Sequence, residues 1–128
     1  MSVLINLTNH PFSKWSLEQR EGWKLIMDLK FPNVDPNLDT EDVKQIVNDY
    51  VKQVKDIIEK IESDKVYICL QGEYTFCYLM LNELKTLDKK PIIAIPTTER
   101  RVNETVTEDG KVEKTVVFEF CKWRFVEI

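Results

Sequence analysis

The periodic stripe between Val43 and Ile61 constrains this chain more than any other feature. Val43, Ile46, Val47, Tyr50, Val51, Val54, Ile57, Ile58 and Ile61 recur at spacings of three and four, with charges between them. That spacing predicts an amphipathic helix of about six turns with one face on a sheet. The stripe is wider than the two-position seam of a coiled coil, so contact with a globular core is the expectation. Asp39 or Thr40 caps its start. Lys65 to Leu70 then forms an apolar run suited to a central strand of a parallel sheet. From Tyr74 to about Leu87 a second helix is expected, apolar almost all round, and therefore deeply buried or shared with another subunit.

The flanking segments extend this alternation. Val3–Leu7 reads as a strand that ends in the turn-forming Thr8-Asn9-His10-Pro11. Ser16, with Gln19 three residues on, forms a capping box for a short helix that Gly22 ends. Lys24 to Leu29 reads as a second strand, stopped by Phe31-Pro32 and Pro36. Pro91 to Ile95 is a fourth, closed by Pro96. Beyond it, Arg101–Val106 and Val112–Phe120 alternate in character around Glu108-Asp109-Gly110-Lys111, a strong hairpin signal. The fold class is therefore α/β: a Rossmann-like, mostly parallel sheet of order about 2-1-3-4 with a C-terminal antiparallel β-hairpin.

Length and composition narrow the function. The 128 residues suffice for one domain, 1–128, and not for two. No apolar run approaches the roughly 20 residues that span a bilayer, and the N-terminus lacks signal-peptide character. Cys69, Cys77 and Cys121 form no CxxC pair and read as buried, reduced thiols of a cytoplasmic protein. With one histidine and no clustered thiols, no metal site and no cofactor are expected. A net charge of −4 argues against coating duplex nucleic acid, though backbone amides and one or two cations can still hold a small anion. No nucleophile elbow is present, and no acid pair has the context of a metal-dependent nuclease.

In sheets of this order, ligands bind beyond the carboxyl ends of the first and third strands. Three polar clusters should meet there: Thr8, Asn9 and His10; Gln71, Gly72, Glu73, Tyr74 and Thr75; and Thr97, Thr98, Glu99 and Arg100. Gly72 lets a ligand or another backbone approach closely. The free N–H groups of Glu73, Tyr74 and Thr75 favour an anion, although Glu73 can satisfy them itself as a first-turn acid. Thr97, Thr98 and Arg100 offer hydroxyl and guanidinium donors for a phosphodiester. His10 is a turn residue or an acid–base group. Tyr74 and Trp123 are the aromatics to test for stacking on a nucleobase.

Five stretches carry a resemblance: "INLTNHPFSKWSLEQ", "FPNVDP", "QGEYTF", "IPTTERRV" and "DGKVEKTVVFEFCKWRFV". In that order they resemble small CRISPR-associated accessory proteins of type III systems, single-domain relatives of the CARF fold that bind cyclic oligoadenylate. Some of these are ring nucleases. The resemblance implies a homodimer, or a higher homo-oligomer, holding cyclic tetra- or hexa-adenylate across its two-fold axis. It implies a metal-free reaction in which the ligand's 2′-hydroxyl attacks the adjacent phosphate. Thr8, Asn9 and His10 match the first-strand binding loop, Gln71, Gly72, Glu73 and Thr75 the third-strand loop, and Thr98 and Arg100 the "TTER" stretch. His10 as general acid and Arg100 as phosphate clamp are assigned on chemistry alone. "FEFCKW" stands where a more basic ending is expected, leaving Lys122 and Arg124 as the remaining cations of the last strand. The readings to separate are a ring nuclease, a non-catalytic module that sequesters the ring, and an oligomeric interaction protein without a nucleotide ligand.

Overall fold

In the computed structural model, which describes residues 2–63 and 65–128, a five-stranded mixed sheet is flanked by helices. Met1 and Asp64 lie outside the described residues. The strands are β1 (Val3–Leu7), β2 (Leu25–Asp28), β3 (Val66–Leu70), β4 (Ile92–Val106) and β5 (Val112–Val126). The helices are α1 (Leu17–Arg20), α2 (Thr40–Lys60) and α3 (Tyr74–Leu84), with a 3-10 turn at Phe12–Lys14. The order is β2-β1-β3-β4-β5, parallel from β2 through β4 and antiparallel between β4 and β5.

The chain moves one way from β1 to β2 and the other way thereafter. Right-handed crossovers then place the β1–β2 connection on one face of the sheet and α2 with α3 on the other. Two cores follow. Val43, Val47, Val54 and Ile58 of α2 and Phe76, Met80 and Leu84 of α3 bury themselves against Ile5, Leu7, Val66, Ile68 and Ile93. On the opposite face Leu4, Cys69 and Ala94 meet Trp15, with Trp23, Tyr67 and Trp123 packed around them. β1 is buried along its whole length, as a central parallel strand should be.

The caps are local and satisfied. Ser16 accepts from the Gln19 amide at 3.2 Å, and the Asp39 amide donates to Asp42 at 3.1 Å. Gly22 takes a positive φ of 88°, which suits glycine where a helix stops. α3 ends at Leu84, three residues before the expected end, because Thr86 and Leu87 bond to carbonyls three residues back and tighten the last turn. It is also less enclosed than its composition suggests: Tyr74 and Tyr78 stand exposed.

Two expectations are corrected. Pro96 does not close the fourth strand, and the hairpin is not separate from it. β4 runs 15 residues through Pro96, pairing with β5 to the tip at Val106↔Val112. β3 pairs with β4 at Tyr67↔Ile92 and Ile68↔Ile93, so from Pro96 onward β4 is an edge where a missing N–H is tolerated. The thiols are not uniformly buried either: Cys69 is, Cys77 is half-buried, and Cys121 is exposed on the outer strand. Among the described residues no helix is long and apolar enough to cross a membrane, and no group of His, Cys, Asp or Glu gathers to hold a metal ion.

Candidate functional site

The carboxyl ends of β1 and β3 open onto two cavities, one on each side of the sheet. The larger, about 820 Å³, lies on the side of the β1–β2 connection. Thr8, His10 and Gln71 line its floor; Lys14, Trp15, Ser16, Glu18 and Gln19 form one wall; Pro96, Thr98, Phe118, Glu119 and Phe120 form the other. The smaller, about 510 Å³, lies on the α2 side and is lined by Asn9, Phe31, Tyr50 and Glu73 among others. Successive residues leaving a strand point to opposite faces, and this divides Thr8 and His10 from Asn9.

A buried polar network fixes the floor. Asn6 lies within β1 and is 1% exposed. Its Nδ2 donates to Asp28 Oδ1 at 2.8 Å and to the His10 carbonyl at 2.9 Å, while its Oδ1 accepts from Thr8 Oγ1 at 2.9 Å. The His10 amide donates to Thr8 Oγ1 at 3.1 Å, and Trp15 Nε1 donates to the His10 carbonyl at 3.1 Å. The His10 backbone is thus held from several sides while its exposed imidazole borders the cavity. Thr8 spends its hydroxyl on this network, so it supports His10 rather than offering itself to a ligand. Asn6 is the residue that sequence reasoning missed; a polar residue inside an otherwise apolar strand was its one signal.

Gly72 and Glu73 have structural duties. A Cβ on Gly72 would fall 2.3 Å from the buried Phe31 ring, so the close approach that this glycine allows is to Phe31. Glu73 caps α3, Oε2 accepting from the Phe76 amide at 2.8 Å and Oε1 from the Thr75 amide at 3.0 Å. These bonds, Phe76 foremost, hold the Glu73 carboxyl below the usual carboxylate range. One of the three donors expected for an anion, the Thr75 amide, is therefore already occupied, as is the Phe76 amide beside it. Replacing Glu73 with alanine is expected to cost about 1 kcal/mol at neutral pH. Because the folded-state pKa is the lower one, this contribution is complete above the unfolded value of about 4.3 and fades as pH falls through the folded value. Urea midpoints of wild type and Glu73→Ala should converge in acid; a gap independent of pH would contradict the charged cap.

The fourth-strand cluster divides at a β-bulge. Register shifts between Thr97 and Thr98, leaving Cys121 without a partner: Thr97 faces Lys122 and Thr98 faces Phe120. Thr97 Oγ1 donates to the Lys122 carbonyl at 3.0 Å, whereas Thr98 borders the larger cavity. By offsetting β5 one residue, the bulge brings Phe120 to the same side as Trp123, 5.7 Å between ring centroids. Phe118 and Phe120 enter the site this way. Arg100, opposite Phe118, shares their face one step farther out. Tyr74 and Thr75 line neither cavity; Tyr74 packs loosely on Tyr78, with centroids 6.3 Å apart. Trp123 belongs to the aromatic cluster behind the cavity and donates through Nε1 to the Gln19 carbonyl.

Chemically, the larger cavity offers imidazole, amide, hydroxyl and ammonium groups beside aromatic faces. The nearby Cys69 thiol is unsuited as a nucleophile, because burial pushes it up to about 12. Glu119 is partly neutralised by Arg101, whose Nε lies 3.1 Å away.

A family model described as "Uncharacterized protein MJ1673 family" matches residues 2–124. "Uncharacterized protein MJ1673" of Methanocaldococcus jannaschii is 28% identical over 92 residues, 72% of this chain and 64% of the relative. The match thus spans less than two thirds of that relative's length. No solved structure matches the chain.

Proposed function

We propose that this chain, which belongs to the Uncharacterized protein MJ1673 family, binds a cyclic oligoadenylate in the larger cavity and cleaves it without metal. The Rossmann-like, CARF-like reading of the sheet and a homodimer belong to the same proposal. The observation that carries it is the meeting of His10, Gln71 and Thr98 with the Phe118 and Phe120 rings around about 820 Å³ of open space. Donors suit phosphodiester oxygens, and aromatic faces suit adenine.

In the reaction, a ligand 2′-hydroxyl attacks the adjacent phosphorus and releases its proton to solvent as the P–O5′ bond breaks. The products are a 2′,3′-cyclic phosphate and a free 5′-hydroxyl. His10 delivers the proton to the departing O5′, Thr98 and Gln71 orient the phosphate, and Arg100 at the cavity's outer edge attracts it. A module that holds the ring intact is the second reading. It is favoured by His10 being the sole imidazole of the sequence.

Incubation with cyclic tetra- and hexa-adenylate in chelator tests both. Linear products ending in a 2′,3′-cyclic phosphate, lost in His10→Ala with binding retained, are expected. An intact ring at stoichiometric protein leaves the binding module, and flat calorimetry with both rings removes the ligand class.

A further inference from the structure

Beyond Ile95 the β4–β5 pair leaves the sheet as a two-stranded ribbon whose sides differ in chemistry. Directly opposed residues in an antiparallel pair share a face. One face carries Val102 with Val116 and Val106 with Val112, flanked by Arg100 with Phe118 and Glu104 with Lys114. The reverse carries Glu99 with Glu119, Arg101 with Val117, Asn103 with Thr115 and Thr105 with Glu113. On the apolar face, exposure is 44% at Val116, 45% at Val102, 57% at Val112, 65% at Phe118 and 73% at Val106. An isolated two-stranded ribbon is marginal in water, so an uncovered apolar side of this length calls for a partner.

We infer that the partner is a second copy of this chain, its ribbon laid face to face and antiparallel about a two-fold axis at the level of Val102 and Val116. The pattern is complementary to itself in that arrangement. Val102 and Val116 meet their own counterparts. Glu104 lies over Arg100 of the other copy, which makes no ion pair within its own chain among the described residues. Lys114 falls on the face of Phe118, a cation–π contact. Val106 and Val112 reach Thr98 and Phe120, so the tip of each ribbon roofs the larger cavity of its partner. The apolar side chains expose on the order of 500 Å² per copy, and a pair burying about 1,000 Å² meets the lower bound for a specific interface. This deepens the proposed function by assigning the surface between copies and a cavity wall that one copy lacks.

Sedimentation without nucleotide tests it separately from ligand binding. A dimer at micromolar concentration is expected. Val116→Lys should leave a folded monomer by circular dichroism, and Arg100→Glu or Glu104→Arg should each weaken the dimer about tenfold or more. Combining the two reversals should restore it. In a Cys121→Ser background, Val112→Cys with Phe120→Cys should be joined between copies by a bismaleimide of about 10 Å reach, since facing ribbons stand about 10 Å apart and the two positions lie about 27 Å apart within one ribbon. A monomer at all concentrations, a dimer indifferent to Val116→Lys, or reversals that fail to compensate would overturn the inference and leave the nucleotide assay standing. If the ribbon instead serves a different protein, this chain alone stays monomeric.

Discussion

Phe76→Ala is expected to lower stability by about 4 kcal/mol. Phe76 is wholly buried at the start of α3, meeting Phe31 edge-on at 4.9 Å and Tyr50 at 5.4 Å between centroids. These three rings come from the segment after β2, from α2 and from α3, so truncating the central one loosens three elements at once. Phe31 has little room to fill the gap, being already pressed against Gly72. A domain of this size has roughly 5–15 kcal/mol in total, so most of the margin could go. Thermal melting should fall by more than about 10 °C, and urea denaturation should give the same loss. A change below about 1 kcal/mol would mean the site relaxes and the ring trio is not the hub of this core.

Asn6→Leu should cost about 2–3 kcal/mol and also disturb the site. Leucine keeps the volume, so the change isolates the polar network from packing. It strips one donor from the Asp28 carboxylate, one from the His10 carbonyl and the acceptor of the Thr8 hydroxyl. Asp28 is exposed and can turn to water, whereas Thr8, 7% exposed, is left with only the longer bond from its hydroxyl to the His10 carbonyl at 3.2 Å. Urea midpoints report the stability loss. A ring-cleavage rate that falls further than in a stability-matched core variant would report misplacement of His10. Unchanged stability would show the network to be a by-product of strand packing.

These two residues also mark what could be read from sequence. Phe76 follows from periodicity: the stripe of α2 and the apolar run of β3 predict a helix-on-sheet core, and α3 completes it. Asn6 does not, because its partner Asp28 lies 22 residues away on a strand whose register is invisible before the sheet is assembled. The same reason hid the course of β4. Pro96 is a local stop signal, and only the absence of a third strand beside it lets pairing continue. In the site, the sequence indicated the rim but not its two sides. Thr8, His10, Gln71 and Thr98 gather, Asn9 and Glu73 fall across the sheet, and Gly72 serves Phe31. Phe118 and Phe120 went unnoticed because their side of the ribbon depends on one unpaired residue, Cys121, that alternation alone does not count.

That extra residue has a consequence for how the arm can vary. Lengthening both strands by a residue beside the turn would move the tip outward, yet leave every existing cross-strand partner in place. Removing Cys121 would likewise keep every pair, whereas inserting one residue between Thr97 and Thr98 would give Cys121 a partner, abolish the offset and reverse the faces of both strands beyond it, turning Phe118 and Phe120 away from the opening. Arms of different reach are thus compatible with one chemistry at the mouth, whereas a single insertion opposite the kink is not.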